Sequence, residues 1–243
     1  MFYRKLTAEQ FAIFEQSLNG VLHSYGAENV FIGDNLITLD RHVGFASDAE
    51  FMAAFGAEAN SVGTQALIWR LHTLCWAARQ TVDLPGDFVE CGVYEGFSSA
   101  VVARYVNLAA LDKRLWLYDL FDHGERTSGV VMPAHGAGLV GRVSRRFAAY
   151  PNARVIQGFV PDSFEQGAPE RIAYMHLDLN DVAAERAALE VLFDRITPGG
   201  VLVLDDYGWK TYPGQKESAD RFAQSKGHAI LELPTGQGLL IKK

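Results

Sequence analysis

From residue 87 onward, short apolar runs alternate with amphipathic stretches, and this alternation limits the possible folds more than any other feature of the chain. The runs fall at 87–91, 114–118, 153–157, 171–177 and 201–204. Each is strand length, and the segments between them are helical in pattern, so a parallel sheet covered by helices is expected. The last two runs, HAILELP and GLLIKK, break the rule. Only TGQG separates them, too little for a crossover helix, so they must pair as an antiparallel hairpin. The expected fold is α/β, a Rossmann-like sheet whose last strand is antiparallel.

Residues 1–82 read differently. Phe11, Phe14, Leu18, Val21 and Leu22 share one helix face over residues 7–24, and Leu67, Leu71, Leu74, Cys75 and Ala78 repeat the spacing. Between them, ENVFIGDNLITLDRHVGFASDAEF mixes Gly, Asp and Asn with short β-type runs and is expected to be irregular, leading into a short helix. We read 1–82 as a helical N-terminal extension or lid and 83–243 as the domain that carries the chemistry. An apolar fraction of 49% is enough for a substantial core, and a net charge of -7 argues against a nucleic-acid groove or an anionic membrane surface. No apolar stretch approaches the ~18 residues of a membrane span, and no charged-then-apolar leader opens the sequence. Cys75 and Cys91, both in apolar surroundings, are expected to be reduced thiols, which favours the cytoplasm.

The first strand-to-helix turn of such a sheet lines the ligand crevice. Here it is Glu90-Cys91-Gly92-Val93-Tyr94-Glu95-Gly96, with Ser98 opening the following helix. The spacing Gly-x-x-x-Gly is not the dinucleotide pattern, and the acids Glu90 and Glu95 oppose a pyrophosphate at the helix terminus. Acids beside glycines suit a ligand with an amine and a positive centre, and S-adenosylmethionine has both. The second strand, LWLYD, ends in Asp119, about twenty residues on, where an acid can accept from both ribose hydroxyls. The alternative is a structural turn in which Glu90 only caps a strand end.

YMHLDLND and VLVLDDYGW end the fourth and fifth strands, which brings Asp178, Asp205 and Asp206 to the same sheet edge. Clustered carboxylates repel one another unless a cation lies between them, and an all-oxygen site suits Mg²⁺. A bound cation would make an alcohol a better nucleophile by lowering its pKa, so transfer of a methyl group to a hydroxyl is the expected reaction. The competing reading makes Asp205-Asp206 a chain turn and Asp178 a helix cap.

These residues resemble the class I S-adenosylmethionine-dependent methyltransferases of the macrocin O-methyltransferase (TylF/MycF) type. DFVECGVYEGFSS, LYDLFD, HLDLN, PGGVLVLDDYGW and LPTGQGLLIK match its blocks in order across most of residues 87–243. The resemblance implies strand order 3-2-1-4-5-7-6, Mg²⁺-assisted methylation of a sugar hydroxyl on a natural product or glycan, and, with the aromatic helices, a homo-oligomer. It assigns Glu90, Gly92, Gly96 and Asp119 to the cofactor and Asp178, Asp205 and Asp206 to the metal. One position departs from the pattern: where the family has a second Asp in H-x-D-x-D, this chain has Asn180, and an amide cannot take a proton. Either another group is the base, with Asp181 and His123 as candidates, or the metal alone suffices with water as the proton acceptor.

Two rival readings remain at this level. One is a nicotinamide-dependent oxidoreductase on a similar sheet; the other is a methyltransferase-like scaffold that has lost its chemistry, which Asn180 keeps open. His176 is read as a satisfied core histidine, Gln237 as the tip of the last hairpin, and Tyr207 and Trp209 either as a wall for the acceptor or as packing under their loop. The aperiodic stretch 124–138 is either a loop over the site or plain surface.

Overall fold

A computed structural model describes residues 6–122 and 132–243. The chain divides into two compact units, Met1–Trp69 and Arg70–Lys243.

In the first unit, α1 (Ala8–Tyr25) starts at a reciprocal capping box between Thr7 and Gln10 and stops at Gly26, whose φ of 70° ends the helix. The stretch expected to be irregular instead forms a hairpin, β1 (Val30–Gly33) paired antiparallel with β2 (Leu36–Leu39). Its two-residue loop, Asp34-Asn35, has φ of 52° and 58°, the type I′ geometry that Asp and Asn tolerate and that matches strand twist. The turn pair was visible as D-N between two β-type runs; its mixture with glycines obscured it. α2 (Ala49–Glu58) and α3 (Val62–Ala66) follow, capped by Asp48 and Ser61. Phe31 and Phe45 meet Trp69 edge-on at 5.0 and 5.4 Å, and Trp69 is half-buried in this aromatic cluster.

α4 (Ile68–Gln80) leads into the second unit. There the sheet is built from β3 (Asp87–Cys91), β4 (Leu115–Asp119), β5 (Ala153–Gln157), β6 (Ile172–Leu177), β7 (Ile196–Leu204), β8 (Leu231–Glu232) and β9 (Gly238–Ile241). The order is β5-β4-β3-β6-β7-β9-β8, with β9 antiparallel to both neighbours and the other pairs parallel. Counted along the chain, this is the expected 3-2-1-4-5-7-6 with a terminal hairpin. The helices α5 (Phe97–Tyr105), α6 (Leu139–Arg146), α7 (Val182–Leu192) and α8 (Pro213–Ser225) provide the cover.

β3 and β6 are buried almost throughout, which is why they read as continuous apolar runs rather than alternating ones. The core around them includes Val89, Tyr118, Met175, Leu177, Phe193, Leu202 and Phe222. β7 begins earlier than the apolar run suggests. It slips register against β6 between Ile172 and Tyr174, absorbing Pro198-Gly199-Gly200 as an irregularity before Val201 resumes the pairing. Neither cysteine is in a disulfide, and both are buried. No helix among the described residues is long and apolar enough to cross a membrane.

Candidate active site

Strand order reverses at β3, which has β4 on one side and β6 on the other. The crevice at the carboxyl ends of these strands is therefore the ligand position of an open α/β sheet. The turn after β3 is left-handed at Gly92, Tyr94 and Gly96, with φ of 94°, 49° and 77°. Gly92 has no room for a side chain: a Cβ there would lie 1.8 Å from the Asp178 carbonyl oxygen. At Gly96 it would meet the Phe147 ring at 2.8 Å. The two glycines are thus required for close approach, one to the strand carrying the acids and one to the helix layer.

Asp119 ends β4 in a buried position and binds this turn directly. Its Oδ2 accepts from the Tyr94 N–H at 2.7 Å, and its Oδ1 accepts from the Phe121 N–H at 2.6 Å. Val93 is buried, Glu95 is exposed and Ser98 is half-buried in the first turn of α5. Glu90 does not face an open pocket. It is 3% exposed, accepts from the Ser99 hydroxyl and lies 2.8 Å from His176 Nδ1.

The register that sets Glu90 opposite His176 on neighbouring strands makes this contact unavoidable. His176 Nε2 in turn lies 3.4 Å from Asp205 Oδ1. Burial pushes the imidazole pKa down, but hydrogen bonds to Asp205 and Glu90 and their charges outweigh it and raise the value to about 10. His176 is therefore an internal cation between two buried carboxylates. Asp205 also accepts from Arg70 Nη1 at 2.5 Å and from Gln237 Nε2 at 2.9 Å. Burial disfavours its ionised form, yet Arg70, His176 and Gln237 hold its carboxyl below the usual carboxylate range.

Gln237 is thus not a hairpin tip. It is fully buried, and its Oε1 accepts from Thr235 while its amide fixes Asp205. A Gln between two glycines gave no sign that the hairpin turn would fold back onto the acids.

Asp178 and Asp206 are held differently. Burial, then the charges of Asp205 and Asp206, push the Asp178 carboxyl well above the usual range. Burial with Asp205 and Glu185 pushes Asp206 up to about 7. Asp206 Oδ2 is buried without a hydrogen-bond partner among the described residues. Asn180, in a left-handed conformation that Asn tolerates, donates from Nδ2 to Asp178 Oδ1 at 3.2 Å. Asp181 Oδ1 accepts from the Ala184 N–H at 2.8 Å and caps α7. His123 lies outside the described residues.

The structure therefore brings Asp178, Asp205 and Asp206 to one edge, beside the turn that Asp119 braces. His176, Asp178 and Asp205 each place a ligand-type atom within 4.8 Å of the others. His176 Nδ1 is engaged by Glu90 and only Nε2 faces the acids, so the carboxylate oxygens are the donors that suit a hard cation. An orphaned buried oxygen and two carboxyls with raised pKa fit a hard divalent cation. Tyr207 is not a wall for a ligand: it is buried, its hydroxyl donates to Asp220 Oδ1 at 2.6 Å, and Lys216 covers its ring.

Glu185, which the sequence pattern did not single out, lies beneath this site on α7. It is 7% exposed and accepts from Gln215 Nε2 at 2.9 Å. Burial pushes its carboxyl up to about 8; Gln215 opposes the shift and the charge of Asp178 adds to it. The folded state thus holds this proton more tightly than the unfolded chain does. Its contribution to stability is complete below the ordinary Glu range near 4.5 and is lost as pH rises through about 8. Glu185→Gln is expected to flatten the decline in metal-free protein between these limits by up to about 1.4 kcal/mol per pH unit, the share of one group. Urea denaturation at a series of pH values checks this, and an unchanged slope would refute it.

The family model for macrocin-O-methyltransferase (TylF) matches residues 61–230. Among curated proteins, the chain is 25% identical over 163 residues to the mycinamicin III 3''-O-methyltransferase of Micromonospora griseorubida, covering 59% of this chain and 63% of that protein. It is 29% identical over 141 residues to the 8-demethyl-8-(2,3-dimethoxy-alpha-L-rhamnosyl)-tetracenomycin-C 4'-O-methyltransferase of Streptomyces olivaceus, covering 51% of this chain and 54% of that protein. The chain thus spans between half and two thirds of the length of these curated relatives. Among solved structures, the O-methyltransferase NovP superimposes with a TM-score of 0.64 at 17% identity, over 82% of this chain and 99% of that one. At that identity the likeness concerns the fold, which is that of the class I methyltransferases. With well over half of its residues matched by the family model, the chain belongs to the macrocin-O-methyltransferase (TylF) family.

Proposed function

We propose that the protein is an S-adenosylmethionine-dependent O-methyltransferase that acts, with Mg²⁺, on a hydroxyl of a sugar or glycosylated natural product. The observation that carries this reading is the juxtaposition of a glycine turn braced by Asp119 with a carboxylate cluster containing an unpartnered buried oxygen. The names of the curated relatives support the acceptor class: both are O-methyltransferases, and that of the Streptomyces olivaceus protein includes a rhamnosyl group.

When bound, S-adenosylmethionine would supply an electrophilic sulfonium methyl group, and Mg²⁺ would orient the acceptor oxygen and lower its pKa. Gly92 and Gly96 keep the turn bare, and Asp119 accepts from the ribose hydroxyls. Asp178, Asp205 and Asp206 would hold the cation. Asn180 cannot take a proton, but its Nδ2 fixes Asp178 Oδ1. We assign the acceptor's hydroxyl proton to water, because Asn180 cannot take it and Asp178 would be engaged with the cation. Holding donor and acceptor at one sheet edge would supply much of the acceleration through alignment.

Calorimetric titration with S-adenosylhomocysteine and, separately, NAD, each with Mg²⁺ and with chelator, tests the reading. S-adenosylhomocysteine is expected to bind and NAD not, and Asp119→Ala is expected to weaken the former about tenfold or more, the value of one or two hydrogen bonds to a charged group. No binding of S-adenosylhomocysteine under either condition would remove the methyltransferase reading.

A further inference from the structure

The acids proposed to hold the cation stand on two loops, Asp178 on the one that follows β6 and Asp206 on the one that follows β7. One buried side chain reaches both loops. The Glu185 carboxyl on α7 accepts from the Leu179 N–H, next along the chain from Asp178, and its Oε1 accepts from Gln215 Nε2 at 2.9 Å. The peptide that joins Asp178 to Leu179 is also the one that abuts Gly92, where a Cβ would lie 1.8 Å from its carbonyl oxygen and 3.1 Å from its nitrogen. Gly92 thus packs against the carbonyl of this peptide, and Glu185 binds its N–H. From Gln215, three turn bonds lead back to the second loop. The Gln215 N–H donates to the Tyr212 carbonyl at 3.2 Å, the Tyr212 N–H to the Trp209 carbonyl at 2.9 Å, and the Trp209 N–H to the Asp206 carbonyl at 3.2 Å. Each of these steps is main chain, so the place of Gln215 is passed to Asp206 with no flexible side chain between them.

We infer that Glu185 is a positioning residue, a clasp between the loops after β6 and β7 that sets how far apart Asp178 and Asp206 stand. This rests on the cation reading above. Mg²⁺ demands near-ideal geometry from its oxygen ligands, and residues that orient such ligands are worth about tenfold to a hundredfold in metal affinity. Packing does not account for a carboxyl here, because a leucine would fill the same buried place without the cost of desolvating an acid beside other acids. Helix capping does not account for it either. Asp181 already caps α7 through the Ala184 N–H, and Gln215 comes from α8, 30 residues further along the chain.

The test titrates wild type, Asp206→Ala, Glu185→Leu, Glu185→Gln and Gln215→Met by calorimetry with Mg²⁺ alone and with S-adenosylhomocysteine in chelator, alongside thermal melting. Glu185→Leu is expected to weaken Mg²⁺ about tenfold while S-adenosylhomocysteine stays within about twofold, because Asp119 braces the glycine turn separately. Glu185→Gln should recover most of the loss. Its oxygen can take the Leu179 N–H, and its amide can serve Gln215 Oε1, which is buried without a hydrogen-bond partner among the described residues. Gln215→Met opens only the far end of the clasp and should weaken Mg²⁺ about threefold, and combining it with Glu185→Leu should cost no more than Glu185→Leu alone. If wild type binds no Mg²⁺, or Asp206→Ala binds it as well as wild type does, the cation reading fails and the clasp with it. If Asp206→Ala weakens Mg²⁺ and Glu185→Leu does not, whatever its melting temperature, only the clasp fails. If Glu185→Gln loses as much as Glu185→Leu, the charge of the carboxyl rather than its hydrogen bonds is at work and the inference is overturned.

Discussion

Gly92→Ala is expected to abolish binding of S-adenosylhomocysteine and to lower stability by about 4 kcal/mol or more, at the extreme of single substitutions. The added Cβ would sit 1.8 Å from the Asp178 carbonyl oxygen and 2.4 Å from its carbon. Both are main-chain atoms at the end of a central strand, so no side-chain rotation relieves the overlap. The φ of 94° adds the strain of a left-handed conformation to the clash. Either the turn or the strand must move, and each carries one half of the site. Gly56→Ala is the matched control, since a Cβ in that helix meets nothing within 4 Å and should stabilise by about 0.5–1 kcal/mol. Urea denaturation with ligand titration checks both. A Gly92→Ala protein that melts and binds like wild type would show that the turn does not pack against Asp178.

His176→Leu comes next in magnitude. It would leave Glu90 and Asp205, 3% and 4% exposed, without the cation between them, and removing one partner of a buried charge set costs about 3–5 kcal/mol. Glu90 suffers most because, among the described residues, only the Ser99 hydroxyl remains to it, whereas Asp205 retains Arg70 and Gln237. Glu90→Gln in the His176→Leu background should therefore restore a large part of the loss, and the double-mutant cycle should be strongly non-additive. The pH dependence has a defined sign. The folded pKa of His176 is raised to about 10 from 6.5, so the stability it contributes is complete below the unfolded value and is lost as pH rises through the folded one. The gap between wild type and His176→Leu should narrow over that window. A gap that stays constant from neutral pH to pH 10 would mean the imidazole is neutral in the folded protein.

The α/β layout was legible because its signal is redundant. Each central strand is a buried run of its own, and TGQG is too short to permit anything but a hairpin. Asp119 and the three acids of the candidate metal cluster were legible for a related reason, since polar residues that end apolar runs must emerge at one sheet edge. The remainder depended on tertiary contacts that no local pattern encodes. His176 looks like an isolated core histidine until the register sets it opposite Glu90. Gln237 and His135 belong to turns, and only the folded chain shows that one turn closes on Asp205 and the other on Asp119. Glu185 sits on a helix where an acid usually faces solvent, and Gln215 from another helix is what makes its burial tolerable.

The last hairpin also bears on how such a protein can be altered. A Cβ at Gly236 would strike the Trp209 indole at 2.4 Å, and one at Gly238 would strike the Tyr207 ring at 2.6 Å. The Gly208 N–H donates to the Gly236 carbonyl at 2.7 Å. The chain after β7 is therefore cast against the turn before β9 as against a mould, although some thirty residues separate them in sequence. Recombination that exchanges one without the other would join mismatched halves. Chimeras built to alter substrate choice should carry both segments from one parent, and natural variation at the two should be inherited as a single block.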